Sequence, residues 1–194
     1  PDETCLFSAD LGLDKIFVYE IDYTSGTLTE RPGASALFSP ASGPRSLTLS
    51  PDGRFLCVTE ELSNAVSVFA VQENRLSFVQ RIPALPEGSG VPVNYPAEAA
   101  YSRDGRFPYV SNRGHNSIAV YAAARDTGML TPVQWISTQG STPRSFTLDA
   151  SGRRLIAANQ DSGSLSIFLR NPADGRLSFS HSVPQPTPVC VRIR

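Results

Sequence analysis

One pattern of residues returns four times along the chain. "PDGRFLCVTEELSNAVSVFAV" (51–71) aligns with "RDGRFPYVSNRGHNSIAVYAA" (103–123) and with "ASGRRLIAANQDSGSLSIFLR" (150–170). "PDETCLFSADLGLDKIFVYEI" (1–21) is a fourth copy. The copies start at 1, 51, 103 and 150, with spacings of 50, 52 and 47 residues. A fixed period of this length restricts the fold to architectures in which one supersecondary unit is laid against the next. Each of the later copies is preceded by a matching short run: "GPRSLTLS" (43–50), "YPAEAAYS" (95–102) and "TPRSFTLD" (142–149). The final "TPVCVRIR" (187–194) resembles another such run. The units therefore start near 1, 43, 95 and 142, and a last strand is expected over 187–194.

Within a unit the pattern is that of β-strands. "RSLTLS", "FLCVTE", "AVSVFAV" and "LSFVQRI" alternate apolar and polar residues and are rich in β-branched and aromatic side chains. "PDG", "RDG" and "ASG" form the turn between the first two strands, with Gly at the positive-φ position, and "TSGTL", "DTGML" and "ADGRL" form the turn between the last two. No stretch has useful helical periodicity. Four strands per unit at this period specify an all-β chain, a β-propeller of four-stranded blades forming a single partial domain over 1–194.

Composition removes several function classes. The chain is 40% hydrophobic and 18% charged, which excludes a disordered segment, and the apolar runs are too short to span a bilayer. A formal net charge of −1 provides no basic field for nucleic acid. Cys5, Cys57 and Cys190 have no metal-ligand spacing and sit in apolar runs, so they are expected to be buried reduced thiols of a cytoplasmic protein.

In an up-and-down blade, two segments of every unit meet on one face. They are the start of the inner strand ("GPRS", "YPAE", "TPRS") and the loop after the second strand ("DLGLD", "EELSN", "NRGHN", "NQDSG"). That face, here called the top, gathers Arg45, Glu98 and Arg144 with Glu60, Glu61, Arg113, His115, Asn159 and Gln160. Such a mixture of acids, bases and amides around a channel mouth suits a small anionic ligand. Turn and inter-blade structure accounts equally well for Asp10, Asn64, Asn116 and Asp161, because short polar side chains hydrogen-bond their own backbone. His115 is the one titrating imidazole expected on this face, and His181 is expected at an outer blade edge.

"ADLGLDKIFVYEID", "VSNRGHNSIAVY", "STPRSFTLDASGRRLIAANQDSGSLSIF" and "PTPVCV" resemble the seven-bladed propeller lactonases over essentially the whole chain. That family includes propeller-type 6-phosphogluconolactonases and fungal carboxymuconate-lactonizing enzymes. The resemblance implies about four blades of a seven-blade ring and hydrolysis of a sugar-acid lactone, 6-phosphoglucono-1,5-lactone, at the top face. It implies Glu61, Arg45 and Arg113 as catalytic residues. His115, Arg144, Asn159 and Gln160 are the expected substrate-binding residues, with no metal and no cofactor. It also implies a histidine on an inner strand that would precede Pro1, and Ser46 stands where many members carry histidine after the arginine. The expected partners are a small anionic lactone and either N-terminal blades outside this chain or a second chain that closes the ring, with no nucleic acid and no membrane. Two other functions fit the same face: a cycloisomerase forming a muconolactone, and a non-catalytic binding scaffold.

Overall fold

The computed structural model describes residues 3–193. These residues are all-β. The second sheet is β5 (Pro44–Leu49), β6 (Phe55–Glu60), β7 (Ala65–Gln72) and β8 (Arg75–Pro83). The third is β9 (Tyr95–Tyr101), β10 (Pro108–Arg113), β11 (Ser117–Ala123) and β12 (Leu130–Ser137). The fourth is β13 (Pro143–Leu148), β14 (Arg154–Asn159), β15 (Ser164–Arg170) and β16 (Leu177–Pro184). Each is an antiparallel meander with its strands in sequence order. The first sheet holds β1 (Cys5–Asp10), β2 (Lys15–Asp22), β3 (Thr27–Glu30) and the two-residue β4 (Ala36–Leu37). By the repeat, β1 corresponds to a second strand. Both β3 and β4 pair with β2. Together they make one outer strand interrupted at Arg31-Pro32-Gly33, where proline removes a ladder donor.

The inner strands β5, β9 and β13 lie side by side in that order, with β1 against β5, and the sheets stack face to face as propeller blades do. No closed sheet forms among the described residues. Apolar clusters fill each seam. Val58, Leu56 and Phe69 pack with Ile16 between sheets one and two. Val66, Val68 and Cys57 pack with Tyr121 and Val110 between two and three. Tyr109 and Ile118 pack with Phe146 and Phe168 between three and four. Sheets covered on both faces need apolar residues at every position, which is why "AVSVF" in β7 and "SIAVY" in β11 are buried throughout. Burial alternates along "SLSIFLR" in β15, where one face meets the third sheet and the other is open.

Two polar devices and one aromatic contact recur in the seams between sheets two and three and between three and four. Gln80 accepts from the Leu130 N–H at 2.7 Å and donates to the Leu130 carbonyl at 3.2 Å. Gln134 does the same with Leu177, at 2.8 and 3.0 Å. Arg54 donates to the Arg125 carbonyl and Arg106 to the Pro172 carbonyl, so the arginine of each "DGR" turn grips the outer turn of the following sheet. The rings of Phe55 and Phe107 lie against Gly128 and Gly175, where an added Cβ would come within 2.3 and 2.4 Å of ring carbons.

The turn glycines Gly53, Gly105 and Gly152 have φ of 72°, 71° and 66°, as the sequence predicts. Two expectations fail. Residues 187–193 form no strand with any of the described residues; they run beside β13, with the Val191 N–H 3.5 Å from Ser145 Oγ. Of the three thiols only Cys57 is buried, its pKa pushed up to about 12 by burial; Cys5 is half-buried and Cys190 is exposed. Cys190 sits outside any sheet, so its apolar neighbours have no core to enter.

Two predictions follow from these contacts. Gln134→Ala leaves two backbone groups of Leu177 without partners and is expected to cost about 1–2 kcal/mol in denaturant unfolding, with Gln80→Ala close to it. The Asp52 carboxyl is held down to about 2, chiefly by the Ser50 hydroxyl. A depressed carboxylate pKa stabilises above the unfolded value of about 4, and that contribution is lost as pH falls towards about 2. The melting temperature is therefore expected to fall between these values, less steeply in Asp52→Asn.

Candidate active site

The second strands of sheets two, three and four end at the top with the same alternation. Glu60, Asn112 and Asn159 point into the sheet stack and are fully buried. Glu60 accepts from the Ser63 and Ser67 hydroxyls and from Arg81 Nε at 2.9 Å. The Asn112 amide donates to the Ala84 carbonyl at 3.2 Å, and the Asn159 amide to Ser166 Oγ at 3.0 Å. One residue later the side chain emerges on the opposite side, because successive strand residues face opposite ways. Those residues are Glu61, Arg113 and Gln160.

The inner strands supply the other half. Each is bulged at one place: the register shifts between Pro44 and Leu47 in β5, opposite Val110–Asn112 in β9, and between Pro143 and Ser145 in β13. A bulge gives one strand an extra residue and re-aims its side chains. The N–H groups it removes from the ladder are recaptured, Ser46 N–H by Thr59 Oγ1 and Glu98 N–H by Ser111 Oγ, each at 3.0 Å. Arg45 and Arg144 lie in the bulges of β5 and β13. Ser46, Glu98 and Ser145 occupy one repeat position on three adjacent strands. They meet there: Ser46 Oγ donates to Glu98 Oε1 at 3.2 Å and Ser145 Oγ to Glu98 Oε2 at 3.4 Å.

Above this row sits an ion triplet. Glu61 Oε2 lies 2.9 Å from Arg45 Nε and 2.9 Å from Arg113 Nη2. All three side chains are mostly sheltered, 25%, 19% and 13% exposed for Arg45, Glu61 and Arg113. Arg113 is also fixed by a bond from Nε to the Tyr95 carbonyl at 3.3 Å and lies over the Tyr95 ring. Its buried Nη2 touches Glu61 without an aligned hydrogen bond, so a donor remains to be satisfied. The Arg45 pKa is lowered, first by burial and then by the Arg113 charge, while Glu61 opposes the shift. Arg144 and Glu98 also act on Arg45, placing three guanidiniums and two carboxylates in one field. Arg144 Nη1 donates to Gln160 Oε1 at 3.3 Å, so the Arg–Gln pair of sheet four mirrors the Arg45–Glu61 pair of sheet two.

The expected site residues thus fall into two groups. Arg45, Glu61 and Arg113 are in direct contact, and Arg144 and Gln160 pair beside them. Asn159 is buried in the sheet stack, its amide bonded to Thr138, Ser164 and Ser166. His115 belongs to the β10–β11 turn: its Nδ1 is 2.7 Å from Ser117 Oγ and its N–H donates to Asn94 Oδ1 at 3.1 Å. That turn is pressed against the chain entering β9, where a Cβ on Gly114 would lie 2.2 Å from the Val93 carbonyl oxygen. His181 is exposed on β16, 3.0 Å from Ser180 Oγ. Glu98 was placed on the top face by its inner-strand position but given no role. Its signal is a departure from the repeat, glutamate where both neighbouring copies have serine.

The comparisons with known proteins agree with this geometry. Residues 1–193 match the family described as "Lactonase, 7-bladed beta-propeller". A 6-phosphogluconolactonase of Bacillus subtilis is 36% identical over 99% of this chain and 54% of its own length. A periplasmic gluconolactonase of Pseudomonas aeruginosa superposes with a TM-score of 0.90 at 36% identity, over 97% of this chain and 53% of that one. A protein from Lactobacillus plantarum superposes with a TM-score of 0.91 at 34% identity. The chain spans about half the length of the relatives it matches. With that family model matching nearly the whole chain, the chain belongs to the seven-bladed β-propeller lactonase family.

Proposed function

We propose that this chain carries part of the active face of a lactone hydrolase whose substrate is a phosphorylated sugar-acid lactone, 6-phosphoglucono-1,5-lactone. The observation that carries the reading is Glu61 Oε2 shared between Arg45 and Arg113 at 2.9 Å each. Two rigid guanidinium forks with donors to spare suit a phosphate or carboxylate and the charge that develops on a lactone carbonyl. Arg144 adds a third cation beside them. Both arginines crowd one oxygen of Glu61, and no hydrogen bond reaches Oε1 among the described residues. That oxygen is free to receive a proton from water as the water attacks the carbonyl carbon. The carbon–oxygen bond of the ring then breaks and the proton passes to the departing alkoxide, giving the open hydroxy acid. Glu98, held by Ser46 and Ser145, keeps the floor of the site anionic and steers the substrate's own charge upward to the arginines.

The names of the Bacillus subtilis and Pseudomonas aeruginosa relatives support lactone chemistry in general, and the phosphorylated substrate rests on the three arginines. Free thiols fit a reducing compartment, the cytoplasm, although the Pseudomonas relative is described as periplasmic. No helix among the described residues is long and apolar enough to cross a membrane.

Hydrolysis of 6-phosphogluconolactone at neutral pH, corrected for spontaneous opening, tests the reading. Glu61→Gln is expected to lower the rate by about 10²–10⁴-fold. Arg113→Ala is expected to raise KM, and Arg45→Ala to lower kcat by about 10²-fold. Background-level hydrolysis by the folded chain, or turnover indifferent to Glu61→Gln, would sink it; lactone formed from a carboxymuconate would mark a cycloisomerase instead.

A further inference from the structure

The bottom end of the seam between sheets two and three holds a cleft of about 690 Å³. It lies at the opposite ends of the strands from Arg45, Glu61 and Glu98, so the proposed reaction makes no use of it. The next seam, between sheets three and four, has the same plan and is filled by Arg170. That side chain is 5% exposed. Its Nε donates to the Tyr109 hydroxyl at 2.7 Å and its Nη1 to the Gly152 carbonyl at 3.1 Å. Its Nη2 is 3.6 Å from Asp104 Oδ2, and its guanidinium lies 5.4 Å from the centre of the Phe107 ring.

The repeat puts Ala123 at the position of Arg170. Both donate the same backbone bond, to the Arg106 and Arg153 carbonyls respectively, at 2.8 Å. It puts Asp52 at the position of Asp104, Phe55 at that of Phe107 and Gly105 at that of Gly152. All four of these, Ala123, Asp52, Phe55 and Gly105, line the cleft. The carboxylate, ring and carbonyl that hold a guanidinium in one seam therefore recur in the other, around a methyl group. Asp104 takes two guanidiniums, that of Arg106 at 3.1 Å and that of Arg170, whereas Asp52 has only Arg54, at 2.9 Å.

Two further groups describe a ligand. Tyr101 replaces the Leu49 and Leu148 of the neighbouring inner strands. It lines the cleft, and its hydroxyl is buried with no hydrogen-bond partner. Burial drives its pKa up, so it stays neutral and can accept or donate. At the lip is Arg125, whose side chain makes no hydrogen bond or ion pair among the described residues. The heads of Arg103 and Arg106 are turned away, to the carbonyls of Ala150 and Pro172.

We propose that this cleft binds a small guanidino acid. The guanidinium sits between the Asp52 carboxylate and the Gly105 carbonyl along the Phe55 ring, within reach of the Tyr101 hydroxyl, and the acid group meets Arg125. A fixed planar fork matched to carboxylate and ring is what an ammonium lacks.

Titration calorimetry of this chain with γ-guanidinobutyrate tests the proposal. One-to-one saturable binding is expected, at least about tenfold tighter than that of γ-aminobutyrate. Ala123→Arg fills the cleft from within and is expected to abolish binding while raising the unfolding temperature. Asp52→Asn keeps the turn's acceptor oxygen and is expected to weaken binding at least about tenfold, which decides the matter if the first variant fails to fold. Glu61→Gln, on the far face, is expected to leave binding unchanged. Lack of saturable binding, binding undiminished by Asp52→Asn, or binding lost in Glu61→Gln would each overturn the proposal.

Discussion

Sheet two is held to sheet three, and three to four, by a glutamine that grips a leucine backbone, an arginine that reaches a turn carbonyl, and a phenylalanine laid on a glycine. Everything else in the chain depends on this grip. One four-stranded repeat unit cannot bury its hydrophobic faces alone. Seated between two others, its both-sided apolar strands become core, and the polar contacts fix the angle and offset at which the next sheet sits. The apolar seams supply most of the free energy, and the polar contacts supply the register.

Register is what turns a stack of sheets into a site. The same bulge at the start of three inner strands turns Arg45, Arg144 and the Ser46–Glu98–Ser145 row towards one another. The alternation at the end of three second strands then decides which residue is sealed into the sheet stack and which emerges at the candidate site. Glu60 and Glu61 are neighbours in sequence, yet the first is sealed among Ser63, Ser67 and Arg81 while the second faces the guanidiniums of Arg45 and Arg113. Two adjacent carboxylates thus have different environments because a strand faces two ways.

This division explains what could be read from the sequence. The repeat, the turn glycines and the strand patterns are local, so they specify four all-β units without reference to anything distant. Arg45, Glu61 and Arg113 were legible because the repeat fixes which loops share a face and the family resemblance selects among them. Glu98 was placed but not understood, since its contacts come from serines 52 and 47 residues away in the chain. Asn159 and Gln160 look alike as polar residues at a strand end; only the pleat separates them. His115 reads as a candidate ligand group, and what the sequence does not show is that its Nδ1 lies 2.7 Å from a serine of its own hairpin. The expected strand over 187–194 shows the limit from the other side: an apolar alternation describes a strand's willingness to pair and does not supply the partner.

The ion triplet has a mechanical consequence. Arg45 and Glu61 belong to the second sheet and Arg113 to the third, so the two contacts to Glu61 Oε2 are not equivalent: one is internal to a blade and the other stitches a seam. The first is indifferent to how the blades are tilted; the second changes length with any opening of the angle between them. Coulomb attraction varies inversely with distance and strengthens where water is excluded, so the seam contact weakens as that angle opens. At the far end of the same seam, Ala123 holds the repeat position that Arg170 fills in the next seam. One seam thus carries a charged stitch at its top end and an open cleft at its bottom end.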